Sequence, residues 1–205
     1  MKWANEVPDD FRFTAKLWRN ITHARKLVYN PEDIKRFMET VHSAGTKKGC
    51  LLVQFPGSIS SDYHDQVADI LDRIQQQNQR PAWQVCVEFR HTGWYEADAT
   101  YTLLKTYNAA MVGHDMPKSL TSPRSNTRTL NLRFHGTAGD YRGSYTPEVL
   151  HDYAARIRTW LNQGKNVYTY FNNTLGEAFN NARDLQALVV PHASKIKTHQ
   201  SLTTH

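Results

Sequence analysis

Polar and apolar positions along the chain follow two periods in turn. A two-residue period marks Phe11–Leu17, Cys50–Pro56, Gln84–Arg90, Ala109–Asp115, Thr129–Gly136 and Asn166–Asn173. These runs are rich in Val, Phe, Tyr and Leu and are bounded by Gly, Pro or polar residues, so each predicts a strand. Helical spacing fills most of the intervals. Asn30 is placed to cap a helix with Pro31 in its first position and Glu32 and Asp33 in its first turn. Ile34, Phe37, Met38 and Val41 form its apolar face, and Gly45 is its stop. Tyr63, Val67, Ile70, Leu71 and Ile74 give a second stripe, and a third helix falls near 97–107. Thr146-Pro147 opens a fourth, with Leu150, Tyr153, Ala154, Ile157 and Leu161 on one face and Gly164 after it. A last helix near 176–190 presents Ala178, Ala182, Leu185 and Val189. Residues 1–190 read as a single domain, and the polar segment 191–205 is expected to fray.

Alternation of strand and helix points to βαβ units and a mainly parallel sheet. A doubly wound sheet and a barrel both fit that alternation. The Gly-rich phosphate loop that would favour the former is missing, because Leu17 is followed by WRNITH. A complete (β/α)8 barrel takes about 250 residues, roughly two units more than this chain supplies. The opening segment Trp3–Pro8 reads as a helix end leading into a strand. The fold class is therefore α/β, an incomplete TIM-like (β/α) barrel of about six parallel strands with helices outside. One interval breaks the pattern: MPKSLTSPRSNTR (Met116–Arg128) reads as a loop and a candidate lid.

In such a fold the apolar strand face packs on helices and the other face lines the barrel axis, with active sites at the C-terminal strand ends. Val85, Val87 and Phe89 oppose Gln84, Cys86, Glu88 and Arg90; Leu132 and Phe134 oppose Asn131, Arg133 and His135. The same alternation sets Lys16, Gln54, Tyr170 and Asn172 against apolar neighbours. Lys16, Arg90 and Arg133 outnumber the carboxylate of Glu88, even with Asp115 as a second, which suits a small anionic ligand such as a phosphate or carboxylate. Glu88 and His135 are the candidate acid and base, and Gln54 and Asn172 the candidates for orienting a carbonyl or hydroxyl. The competing reading is a structural ion network in which Glu88 neutralises Lys16, Arg90 and Arg133.

Composition refines this picture only slightly. The 205 residues carry a formal charge of +6 and two cysteines. Cys50 and Cys86 sit in apolar runs and read as buried free thiols of a reducing cytosol. The start MKWANEVPDD lacks the apolar core of a secretory signal, and no stretch of about 18 apolar residues exists to span a membrane, so a cytoplasmic location is expected. The positive balance is compatible with nucleic acid, yet no Lys/Arg run exceeds two residues and no nucleic-acid motif occurs. Ten histidines are present without HxxxH or HExxH spacing, so no metal site is expected, and the cofactor is unknown from the sequence. Trp83, Trp94 and Tyr95 flank a strand and read as core or rim.

The strand ends also resemble a known family. FRFTAKLWRNITH (Phe11–His23), LLVQFP (Leu51–Pro56), VEFRHTGW (Val87–Trp94), LRFHG (Leu132–Gly136) and YTYFNNTLGEAFNNA (Tyr168–Ala182) are similar, in order and spacing, to the YecE-like family, domain of unknown function 72. The resemblance implies a TIM-like barrel whose members look like enzymes but whose substrate, reaction and cofactor are unassigned. It carries over Lys16, Thr22, His23, Gln54, Glu88, Arg90, His91, Trp94, Arg133, His135, Gly136, Asn172, Asn173, Asn181 and Ala182. Of these, Lys16, His23, Gln54, Arg90, His91, Arg133, Asn172 and Asn173, with Tyr170 from the strand alternation, are the ligand-binding candidates.

Two segments usual in that family, a Gly/Trp-rich first strand and a second strand with a VExNxTFY-like stretch, are absent here. Open barrel edges are the consequence, to be covered by a second copy or a partner segment, or else left by an incomplete gene product. Three functions fit: an anion-binding pocket with acid/base chemistry, a non-catalytic metabolite- or nucleic-acid-binding protein, and a non-functional fragment.

Overall fold

The computed structural model describes residues 2–78, 80, 82–96, 98–119, 121, 124–125 and 127–190. In chain order its elements are α1 (Lys2–Asn5), β1 (Phe13–Lys16), α2 (Arg19–Thr22), α3 (Glu32–His42), β2 (Lys48–Phe55), α4 (His64–Gln77), β3 (Gln84–Phe89), α5 (Gly93–Glu96), α6 (Asp98–Thr106), β4 (Ala110–Met111), β5 (Gly113–His114), β6 (Arg124–Ser125), β7 (Thr129–Phe134), α7 (Pro147–Asn162), β8 (Asn166–Phe171) and α8 (Ala178–Val189). Segment 191–205, expected to fray, lies outside the described residues.

The fold is α/β with parallel strands in two sheets, ordered β1-β2-β3-β4-β6 and β5-β7-β8. β1 to β4 run parallel, and β6 closes the first sheet antiparallel to β4. The run Ala109–Asp115 is thus two short strands that break at Val112. The predicted loop Met116–Arg128 holds a short 3-10 turn, Pro117–Ser119, as well as β6.

Contacts divide the chain into two compact units. One comprises Met1–His114 and Lys118–Asn131, the other Asp115–Pro117 and Leu132–His205. In the first unit, the helical stripes pack as their spacing predicts. Ile34, Phe37 and Met38 of α3 and Val67, Ile70, Leu71 and Ile74 of α4 are buried in one apolar cluster with Leu51, Val53, Phe55, Val85, Val87 and Phe89. Asn30 starts α3 through its side chain, whose Oδ1 accepts the Glu32 N–H at 3.1 Å. Cys50 and Cys86 are free and fully buried, on the strand face opposite that cluster.

The second unit has its own cluster, built from Leu132, Phe134, Tyr145, Leu150, Ala154, Ile157 and Leu185. Phe134 stacks on Phe171 with ring centroids 4.6 Å apart and meets Tyr145 and Tyr153 edge-on. Two stripe positions differ from the spacing. Leu161 of α7 is 43% exposed, and Ala182 of α8 is exposed while Asn181 and Leu185 turn inward. β8 is the outer strand of its sheet and its residues are at best half-buried.

Candidate functional site

Polar groups gather at the C-terminal strand ends of both units, and each group lies within one unit. In the first, Lys16 ends β1 and donates from Nζ to Gln54 Oε1 on β2 at 2.8 Å. Glu88 on β3 is wholly buried and ion-paired with Arg90. This is the arrangement a buried carboxylate requires, because an ionised group leaves water only with a partner. His23 follows α2, and its Nδ1 lies 2.9 Å from Thr22 Oγ1. Burial, reinforced by Arg19 and Lys16, lowers its pKa from the usual value. His91 Nδ1 accepts the Gly93 N–H at 3.1 Å and so braces the start of α5. Trp94 is core: it is fully buried, stacks on Phe89 at 4.2 Å and donates its indole N–H to the Ile59 carbonyl at 2.9 Å.

The second unit carries the more connected set. β7 delivers Arg133 and then His135, and the residue after β8 is Asn172. Arg133 donates to Asn172 Oδ1 at 3.3 Å, and Asn172 Nδ2 sits 3.4 Å from His135 Nε2. On the other side of the imidazole, Asp115 Oδ1 lies 3.2 Å from Nδ1 and accepts the His135 backbone N–H at 2.7 Å. Tyr145 donates its hydroxyl hydrogen to Asp115 Oδ2 and accepts the Gly136 N–H at 2.6 Å. Burial pushes the Asp115 carboxyl up, but hydrogen bonds from His135 and Tyr145 outweigh it and hold the group below its ordinary value. The Tyr145 hydroxyl is raised well above the usual phenol range by burial and by that carboxylate.

A second layer fixes this arrangement. Asn173 donates to the Gly143 carbonyl at 2.9 Å and to Asn181 Oδ1 at 3.0 Å, and Asn181 donates to Ser144 Oγ at 3.0 Å. The segment 136–145 is thereby tied to the turn between β8 and α8. Asn173, a ligand-binding candidate by sequence, is fully buried in these bonds. Tyr170 is half-buried on β8.

The structure therefore brings together Lys16 with Gln54, Glu88 with Arg90, and Arg133 with His135 and Asn172. Tyr145 is the member that sequence reasoning missed. It belongs to no strand and no motif spacing, and its one signal is its place just before the Thr146-Pro147 helix start. No group of three or more His, Cys, Asp and Glu side chains that could hold a metal ion occurs among the described residues. No helix among them is long and apolar enough to cross a membrane.

These elements define an α/β protein with charged and amide side chains clustered at the ends of parallel strands. The chain belongs to the family described as protein of unknown function DUF72, whose model matches residues 1–204. Neither the curated proteins nor the solved structures give a match.

Proposed function

We propose that the cluster of Asp115, His135, Arg133 and Asn172 binds a small anionic ligand, a phosphate or a carboxylate, and performs acid/base chemistry on it. The carrying observation is the pair of Asp115 and His135. A carboxylate on Nδ1 orients the ring and holds the Nδ1–H tautomer, which leaves Nε2 as the accepting nitrogen. The 3.4 Å contact from Asn172 to Nε2 is long for a hydrogen bond. His135 is fully buried, so a ligand hydroxyl reaches Nε2 by displacing the Asn172 amide, and exchanges a proton there. Arg133 supplies a forked cation for the anionic group, held by Asn172.

Glu88 takes a supporting role in this reading, since its buried carboxylate is already matched by Arg90. A TIM-like barrel is part of the same proposal, supported by the family match and by the succession of parallel strands and helices along the chain.

Titration with inorganic phosphate and with acetate, followed by NMR of the His135 ring, tests the binding half. Binding is expected in the wild-type protein and lost in Arg133→Ala; equal affinity in both overturns the site. Incubation with a pool of phosphorylated and carboxylated metabolites, read by mass spectrometry, tests the chemistry. His135→Asn is expected to abolish conversion while keeping anion binding, and conversion that survives it removes His135 as the acid/base.

A further inference from the structure

Tyr141 occupies a backbone conformation that tyrosine disfavours. Its φ is +67°, in the left-handed region, where an L side chain crowds its own backbone. Three neighbours in the same segment, Gly136, Gly139 and Gly143, also have positive φ and are glycines. Turn geometry alone therefore favours glycine at 141. The chain is nevertheless held there from both sides: the Tyr141 N–H donates to the His135 carbonyl at 2.7 Å, and its carbonyl accepts the Leu175 N–H at 2.9 Å.

The ring is not spent on filling the core, being 44% exposed. It stands edge-on to the His135 imidazole, with centroids 5.7 Å apart and planes at 80°. A half-exposed aromatic surface beside the candidate base, on backbone pinned by two hydrogen bonds at a cost in strain, is what a ligand platform requires. Tyrosine suits this role because it offers a large flat contact with few torsions to freeze.

We infer that Tyr141 is a specificity-determining residue whose ring stacks on a flat unsaturated ring of the ligand. The ligand class is thus an anion borne on an aromatic or heteroaromatic ring, an aryl phosphate or aryl carboxylate, with the anionic group on Arg133. This inference rests on the anion-site reading above and deepens it. The hydroxyl of Tyr141 plays no part in it, so phenylalanine can replace tyrosine.

The test compares matched probes, phenyl phosphate against inorganic phosphate and benzoate against acetate, by calorimetry or NMR titration. Wild-type protein is expected to bind each aromatic anion roughly tenfold more tightly than its plain counterpart, the size of one aromatic stack. Tyr141→Phe keeps that preference. Tyr141→Ala and Tyr141→Gly lose it, while affinity for phosphate and acetate stays within about twofold. Tyr141→Gly also melts no lower than wild type, since glycine relieves the strain, which separates the ring's binding role from a structural one. A wild-type protein without the preference, or a preference that persists in both the alanine and glycine variants, overturns the inference alone. Failure of the underlying site shows differently, as phosphate and acetate affinities that are absent or indifferent to Arg133→Ala, and that result removes both readings.

Discussion

Asp115 grips His135 at two points, accepting its backbone N–H at 2.7 Å and facing its ring Nδ1 at 3.2 Å. One carboxylate thereby fixes both the chain direction at the end of β7 and the orientation of the imidazole. Tyr145 completes the clasp from the start of α7, with its hydroxyl between Asp115 and the Gly136 N–H. Stability and candidate chemistry in this unit thus depend on the same hydrogen bonds.

Asp115→Asn is expected to destabilise the protein by about 1–3 kcal/mol at neutral pH, because the Tyr145 hydroxyl loses its charged acceptor. The pH dependence has a definite sign. A carboxyl held below its ordinary value of 3.8 contributes stability that is full above that value and is lost as pH falls through the folded value. Urea unfolding of the two proteins should therefore differ most near neutrality and converge in acid. A gap that stays constant into acid would show that Asp115 is not the depressed group.

Gly136→Ala is expected to be more damaging than Gly164→Ala. Both glycines have positive φ, +91° and +75°. A Cβ at 136 would press into the Arg142 carbonyl and stand 3.0 Å from the Arg142 nitrogen, whereas one at 164 meets nothing within 4 Å. Backbone strain of about 1–3 kcal/mol applies to each, and only Gly136 adds a backbone clash. Thermal melts should rank wild type above Gly164→Ala and Gly164→Ala above Gly136→Ala.

Much of this architecture is legible in the sequence where burial is two-sided. The stripes of α3 and α4 and the faces of β2 and β3 are fixed by the same apolar cluster, so period alone locates them. Legibility fails where a partner is missing or remote. β6 lies in a Pro- and Ser-rich stretch with no strand signature, and only its pairing with β4 makes it a strand. Leu161 and Ala182 fit a helical stripe, but a stripe reports what could be buried, and both side chains stay exposed beside the half-buried edge strand β8. Within the candidate site, strand alternation identifies Arg133 and His135. Asp115 is visible as a possible second carboxylate and not as a partner of His135, while Tyr145 is joined to that pair by a fold contact 30 residues away in sequence.

The contrast on α7 can be measured. Ile157 is buried in the second unit's cluster and Leu161, one turn on, is 43% exposed. Ile157→Ala should cost about 2–5 kcal/mol through lost burial and a residual cavity. Leu161→Ala should cost under about 1 kcal/mol. Equal losses in denaturant unfolding would mean that the face near Leu161 is covered in solution.

Cys50 and Cys86 offer a chemical probe of the first unit. They lie on neighbouring parallel strands, and the register pairs Cys86 with Leu52, two residues beyond Cys50. Strand spacing and rise then put their Cα atoms about 8 Å apart, beyond the roughly 7 Å limit for a disulfide without backbone movement. Hydrogen bonding with Cys50, together with burial, pushes the Cys86 thiol well above its ordinary range, so the reactive thiolate is scarce there. Both side chains are fully buried. Ellman's reagent should accordingly label neither thiol in native buffer and both after denaturation. A mild disulfide oxidant applied to the native protein should leave two free thiols on later unfolding. Fast labelling of two thiols before denaturation, or their loss to an internal disulfide, would contradict the register of β2 against β3 and the packing of the sheet face that holds them.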